Sequence, residues 1–306
     1  MKSTSTLALW LRLSGTLLLT VGTASAPLLA RTAQDLNLPA ASIHQMMRNV
    51  AWNELQASEH PAHHYRYIEK DISSDGSRTS VQIATRHGYV DRLIAVDGKP
   101  PSKEQLEKNG QLLQNLLTSA QLRESRFKDQ RSNVRRRDNV IKDVPNAFIF
   151  TYDGRSKEGL IKLKFRPAPN FKPSTRQSLI LQGMAGEVWV DPSTQRMAKI
   201  DGVLIKDVTI GWGFLAKLNK GGRFLMEQTR GPNGTWHQEL LSVHFDGSVL
   251  IFKHIHIHET IIRSFFKQVP NNLTVREAVH MLQTDRSLPA DWESRLNAIE
   301  KSARSN

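Results

Sequence analysis

The sequence predicts an α+β fold, in which a hairpin-linked antiparallel sheet is met by two helices from the N-terminal half and followed by a helical tail. Three observations carry this. The stretch Gly183–Arg230 is a series of short apolar runs broken at Gly, Asp and Asn, with no helix-length amphipathic segment, which is the pattern of strands joined by tight turns. Two earlier segments, near residues 43–55 and 106–120, repeat apolar residues at helical spacing. From Asn271 onward the helical spacing returns. The length of 306 residues allows one large or two modest domains, and with 39% hydrophobic residues and no cysteine the fold must rest on its core rather than on disulfides.

In chain order, Lys2, the apolar Leu7–Val21 and the small residues Gly22–Ala26 read as a secretory signal peptide, cleaved after Ala24 or after Ala26. The apolar run falls short of the ~20 residues that a membrane span needs. A periplasmic protein without a lipid anchor is therefore expected, with residues 25–38 as a lead-in, 39–270 as a single domain and 271–306 as the tail. Pro39 and Ser42 open the first helix, with Gln45 in capping-box spacing after Ser42. Ile43, Met46, Met47, Val50, Ala51 and Leu55 form its apolar face, and His60-Pro61 ends it.

Tyr65–Lys70 and Thr79–Arg86 read as a hairpin around Asp75-Gly76, and Tyr89–Val96 as a third strand ending at Asp97-Gly98. Ser102 and Gln105 repeat the capping-box spacing and open a long helix that runs on through the basic residues 123–138 to Pro145. That basic segment is read as a solvated helix face, with an arm touching anionic headgroups or an acidic protein as the alternative. Ala147–Asp153 places Phe148, Phe150 and Tyr152 on one strand face, and Leu160–Phe165 returns from Asp153-Gly154. Prolines 167, 169 and 173 interrupt the sheet, and Ser174 caps a short helix. Strands follow at 187–191, 197–203, 204–210, 214–218 and 223–230, then a long hairpin of 235–245 and 248–262 around Asp246-Gly247. Thr274 and Glu277 cap a helix, and the last helix runs from Asp291 to Ser302.

Lys253-His254-Ile255-His256-Ile257-His258-Glu259 puts three histidines on one side of a strand. With Asp246-Gly247 as a two-residue turn, Glu239 falls opposite His254 and His237 opposite His256, a set that suits zinc; the alternative is a polar, solvent-facing ribbon. Nucleophilic catalysis finds no cysteine and no Gly-x-Ser-x-Gly elbow. Asp191 and Asp246 read as turn residues. Gly211-Trp212-Gly213 and Gly221-Gly222 lack the strand–loop–helix setting of a phosphate cradle and mark bends.

The order of helix, three strands, long helix and meander resembles the outer-membrane lipoprotein carrier superfamily. The residues that carry the likeness are Val90–Pro100, Asn146–Phe150 and above all Gly186-Glu187-Val188-Trp189-Val190-Asp191, over roughly residues 40–265. The resemblance implies an incomplete, strongly curved antiparallel barrel wrapped around the helices, with an apolar cavity that shields acyl chains or apolar peptides from water. Core packing is the default reading of Phe148, Phe150, Trp189, Trp212 and Met226, and the functional alternative makes them the lining of the cavity, roofed by Met46 and Met47. A non-enzymatic carrier of a lipid, acyl chain or lipidated protein is thus expected, with no cofactor. An adaptor of the same fold is the alternative, and a metal-dependent enzyme using the histidine ribbon a third. The net charge of +13 favours anionic partners, and export argues against nucleic acid.

Overall fold

A computed structural model describes residues 39–210, 216–231, 233–249 and 253–305. The expected signal peptide, the lead-in and Trp212 lie outside the described residues. Helix α1 (Ala40–Glu59) leads into a three-stranded meander, β1 (His64–Ser73), β2 (Gly76–Thr85) and β3 (Gly88–Val96). Helices α2 (Lys103–Thr118) and α3 (Ala120–Ala147) follow, then β4 (Phe148–Arg155), β5 (Ile161–Pro167) and a 3-10 helix (Gln177–Gly183). The second meander is β6 (Met184–Asp191), β7 (Arg196–Leu204), β8 (Val208–Ile210), β9 (Ala216–Leu218), β10 (Arg223–Arg230), β11 (Trp236–Val249) and β12 (Lys253–Val269). Helices α4 (Val275–Thr284) and α5 (Trp292–Ser305) end the described chain.

All strand pairings are antiparallel and form one sheet in the order β3-β2-β1-β12-β11-β10-β7-β6-β5-β4, with β8 and β9 a short flap on β11. The sheet is curved and unclosed, as the expected incomplete barrel requires. Side chains alternate between its faces, so directly paired residues share a face. Leu163, Val188, Ile200, Met226, Leu241 and Ile261 are successive cross-strand partners from β5 to β12. They belong to one apolar cluster with Ile43, Met47 and Val50 of α1 and Val140 and Val144 of α3. This inner face therefore wraps two helices of the N-terminal half. On the outer face, Ile68, Val81, Leu240 and Ile262 pack with Val279 and Leu282 of α4 and Leu296 of α5.

Several local expectations are corrected. The first helix begins at Pro39 without a side-chain cap, and Gln45 bonds Asn49 at 2.9 Å instead of closing a box with Ser42. The long second helix is two helices. Ser119 between them is extended, and its Oγ accepts from Leu122 N at 3.1 Å, so it caps α3. Pro145 lies inside the last turn of α3, where its missing N–H forfeits one bond and the helix ends two residues on. Asp246-Gly247 is not a turn either. β11 runs through it to Val249, and the connection to β12 falls at 250–252, outside the described residues.

Candidate ligand cavity

A cavity of about 180 Å³ lies between the inner face of the sheet, α3 and the 3-10 helix. Val140 and Val144 wall it from α3, Ile180 and Leu181 from the 3-10 helix, and Met184, Met197, Ile200 and Met226 from the sheet. The 3-10 helix is held in place because Gln182 Nε2 donates to the Phe171 carbonyl at 3.2 Å, while Ser174 ties the preceding loop to Asp143 of α3 at 2.7 Å. Four polar side chains, Arg136, Arg137, Gln177 and Gln238, also reach the wall. Arg137 is neutralised by Asp138 at 2.7 Å and bonds Ser58. Gln238 Nε2 is buried with no hydrogen-bond partner among the described residues.

Of the candidate lining residues, Phe148 and Met226 reach this cavity. Met47 and Phe150 are buried in the core around it, and Met46 is half-buried against the same cluster; none of the three is at the cavity wall. Trp189 is on the opposite face. Val188 and Val190 point inward, which turns the indole outward, where Lys162 and Lys199 lie 5.5 and 5.3 Å from its ring centre.

The same inner face is wet at its other end. A second cavity of about 470 Å³, under β1–β3 and α3, is lined by Tyr67, Glu69, Gln82, Tyr89, Asp91 and Arg126 among others. Asp91 accepts from Arg126 at 2.5 Å and Arg78 at 2.9 Å, and Gln130 bonds both backbone groups of Tyr89, so the start of α3 is docked through polar contacts. Buried Arg263 donates to Glu69 at 2.7 Å and lies 5.7 Å from the Tyr67 ring centre. Burial pushes the Tyr67 hydroxyl well above its ordinary range, against the opposing pull of Arg263.

The basic segment 123–138 is thus partly an internal fastener through Arg126 and Arg137. Arg123 and Arg131 face a different cleft of about 450 Å³, together with Arg86, Arg276 and Glu124, where the β2–β3 turn, α2–α3 and the start of α4 meet.

The proposed zinc set of His237, Glu239, His254 and His256 is not brought together. The β11–β12 register pairs His244 with His258, Asp246 with His256 and Ser248 with His254, because β11 continues past Asp246. Glu239 instead takes Arg295 of α5 at 2.6 Å. His237 is buried between Phe266, stacked at 4.2 Å, and Tyr65, edge-on at 4.6 Å. The pairs Glu54–Arg196 and Glu69–Arg263 escaped the sequence reading. Glu54 had a signal, since it falls on the apolar stripe of α1 beside Met47, Val50 and Ala51.

Comparison with protein-family models, curated proteins and solved structures finds no match.

Proposed function

We propose that this chain is an exported, non-enzymatic periplasmic binding or carrier protein that shelters an apolar group, such as an acyl chain or the lipid of a lipidated peptide, against the inner face of its sheet. The observation that carries this reading is the apolar cavity at the centre of the larger core. A dry cavity of roughly 150 Å³ takes a guest the size of benzene. At about 180 Å³ the cavity therefore holds one short apolar segment. A longer chain gains ~0.8 kcal/mol per buried methylene only if the cavity widens to take it. Met184, Met197 and Met226 suit this role, because unbranched thioethers adapt to varied apolar guests.

The test is native mass spectrometry of the gently purified chain together with uptake of a fluorescent fatty acid. A co-purifying lipid and saturable uptake are expected, with uptake lost in Ile200→Phe, which fills the cavity. Bare polypeptide with no uptake overturns the reading.

A second reading is an adaptor that holds an acidic protein face. It is favoured by the four arginines of the cleft formed by Arg86, Arg123, Arg131 and Arg276, where Glu124 is the single lining carboxylate. A co-purifying acidic protein that is lost in Arg86→Glu/Arg276→Glu supports it, and retention in that variant counts against it.

A further inference from the structure

The corrected β11–β12 register assembles a different constellation from the one its sequence suggested. His244, Asp246, His256 and His258 occupy four adjacent positions on the outer face, as two directly opposed pairs. Asp246 Oδ1 lies 2.6 Å from His256 Nδ1 and 3.4 Å from His258 Nε2. One ligand atom from each of Asp246, His256 and His258 falls within 4.8 Å of the others. The ring of His244 stacks on His258 with centres 5.0 Å apart. The geometry points to a divalent transition-metal site formed by Asp246, His256 and His258, with solvent or His244 completing the coordination.

Zinc bound tetrahedrally at ~2.0–2.1 Å holds its ligand atoms about 3.3 Å apart. The three atoms already bracket that spacing. A metal between Asp246 and His256 needs their 2.6 Å contact to open by roughly 0.7 Å to reach that spacing, which side-chain rotation supplies. Two imidazoles and one carboxylate select zinc, copper or nickel over magnesium and calcium, whose sites are built from oxygen. Three protein ligands and an open position are also the donor count of a zinc site that exchanges ligands rather than one that only braces a fold. The cations acting on His244 are Arg223 and Arg304. Each is tied to a carboxylate, Asp201 at 2.6 Å and Glu300 at 2.5 Å, which offsets their repulsion of a bound ion. The neighbouring His254 is paired with Ser248 and is not among the three clustered ligands, so it serves as an internal control.

The site lies on the face opposite the apolar cavity and stands or falls separately from the carrier reading. The tag-free chain is titrated with Zn²⁺ by calorimetry and with Co²⁺ by visible absorption. One equivalent of each metal is expected, with Co²⁺ d–d bands of a nitrogen–oxygen site and no response to Mg²⁺. His256→Ala, His258→Ala and Asp246→Asn are each expected to weaken binding about ten-fold or more, while His254→Ala leaves it unchanged. All three ligand side chains are exposed, and far-UV circular dichroism of each variant verifies that it is folded. Binding of less than one equivalent by the parent chain overturns the proposal. So does equal binding by a folded His256→Ala/His258→Ala variant.

Discussion

Glu54 is a carboxylate in the buried stripe of α1, and four hydrogen-bond donors converge on it. Arg196 donates to it through Nε at 2.8 Å and Nη2 at 3.0 Å, Met197 N adds a bond at 3.0 Å, and Gln228 Nε2 another at 3.1 Å. Arg196 is 1% exposed. Removing one partner of such a pair strands the other charge in the core, at a cost of roughly 3–5 kcal/mol. Glu54→Ala is expected to lower the unfolding free energy by that amount in urea titrations. Glu54→Ala combined with Arg196→Met is expected to recover a large part of it. His237 supplies a pH dependence of known sign. Burial holds its pKa down to about 4. The folded chain keeps this imidazole neutral where the unfolded chain, with a histidine pKa near 6.5, takes up a proton. Its contribution is complete above about pH 6.5 and is lost as the pH falls towards 4, by up to roughly 3 kcal/mol. Stability measured at several pH values should fall less steeply over that window in His237→Phe; equal slopes would refute the assignment. The helical spacing marks Glu54 as buried but not its partner, and the places of both Arg196 and His237 depend on strands far apart in sequence.

At the scale of elements, caps that depend on neighbouring residues were legible. Ser102 with Gln105 and Thr274 with Glu277 both form reciprocal capping boxes, as their spacing indicates. Ser42 with Gln45 has the same spacing but lies inside a helix that Pro39 has already started. The division between α2 and α3 rests on Ser119, helped by Arg123, whose guanidinium bonds the carbonyls of Leu116 and Leu117 at 2.8 and 3.1 Å. Ser119→Ala should cost about 1 kcal/mol of stability, measured by thermal or urea unfolding. Asp246-Gly247 misled for a physical reason. A Cβ on Gly247 would stand 2.1 Å from the Lys217 carbonyl oxygen, so this glycine serves the close approach of β9 rather than a turn. That requirement comes from a strand some thirty positions away, and no local pattern announces it. Gly247→Ala is expected to displace the β8–β9 flap, seen as faster amide exchange at residues 216–218 while β10 remains protected.

The whole molecule is legible as a class and opaque as a division of labour. Alternating runs and turn residues were enough for a hairpin-linked antiparallel sheet met by helices, while its open, curved form was expected only from the resemblance. Which half of its inner face would be dry was not, because Arg263, Glu69, Asp91 and Arg126 meet only once β12, β1, β3 and α3 are assembled. The first meander is joined to the rest of the sheet through the β1–β12 ladder. A chain ending at Val249 lacks that partner and is expected to lose protease resistance in β1–β3 as well as in β11; retained slow amide exchange in β1 would contradict this. Time enters through the same ladder. His64 meets Val269 and Ser73 meets Glu259, so a strand made early waits for the last of the described strands. Closure over such a span makes folding slow, on the scale of milliseconds to seconds or longer. During that wait β1 presents an unpaired edge to every other chain in the compartment. The same ladder that joins the two halves of the sheet is thus the last to close, and until the C-terminal third arrives the edge of β1 is open to wrong pairings.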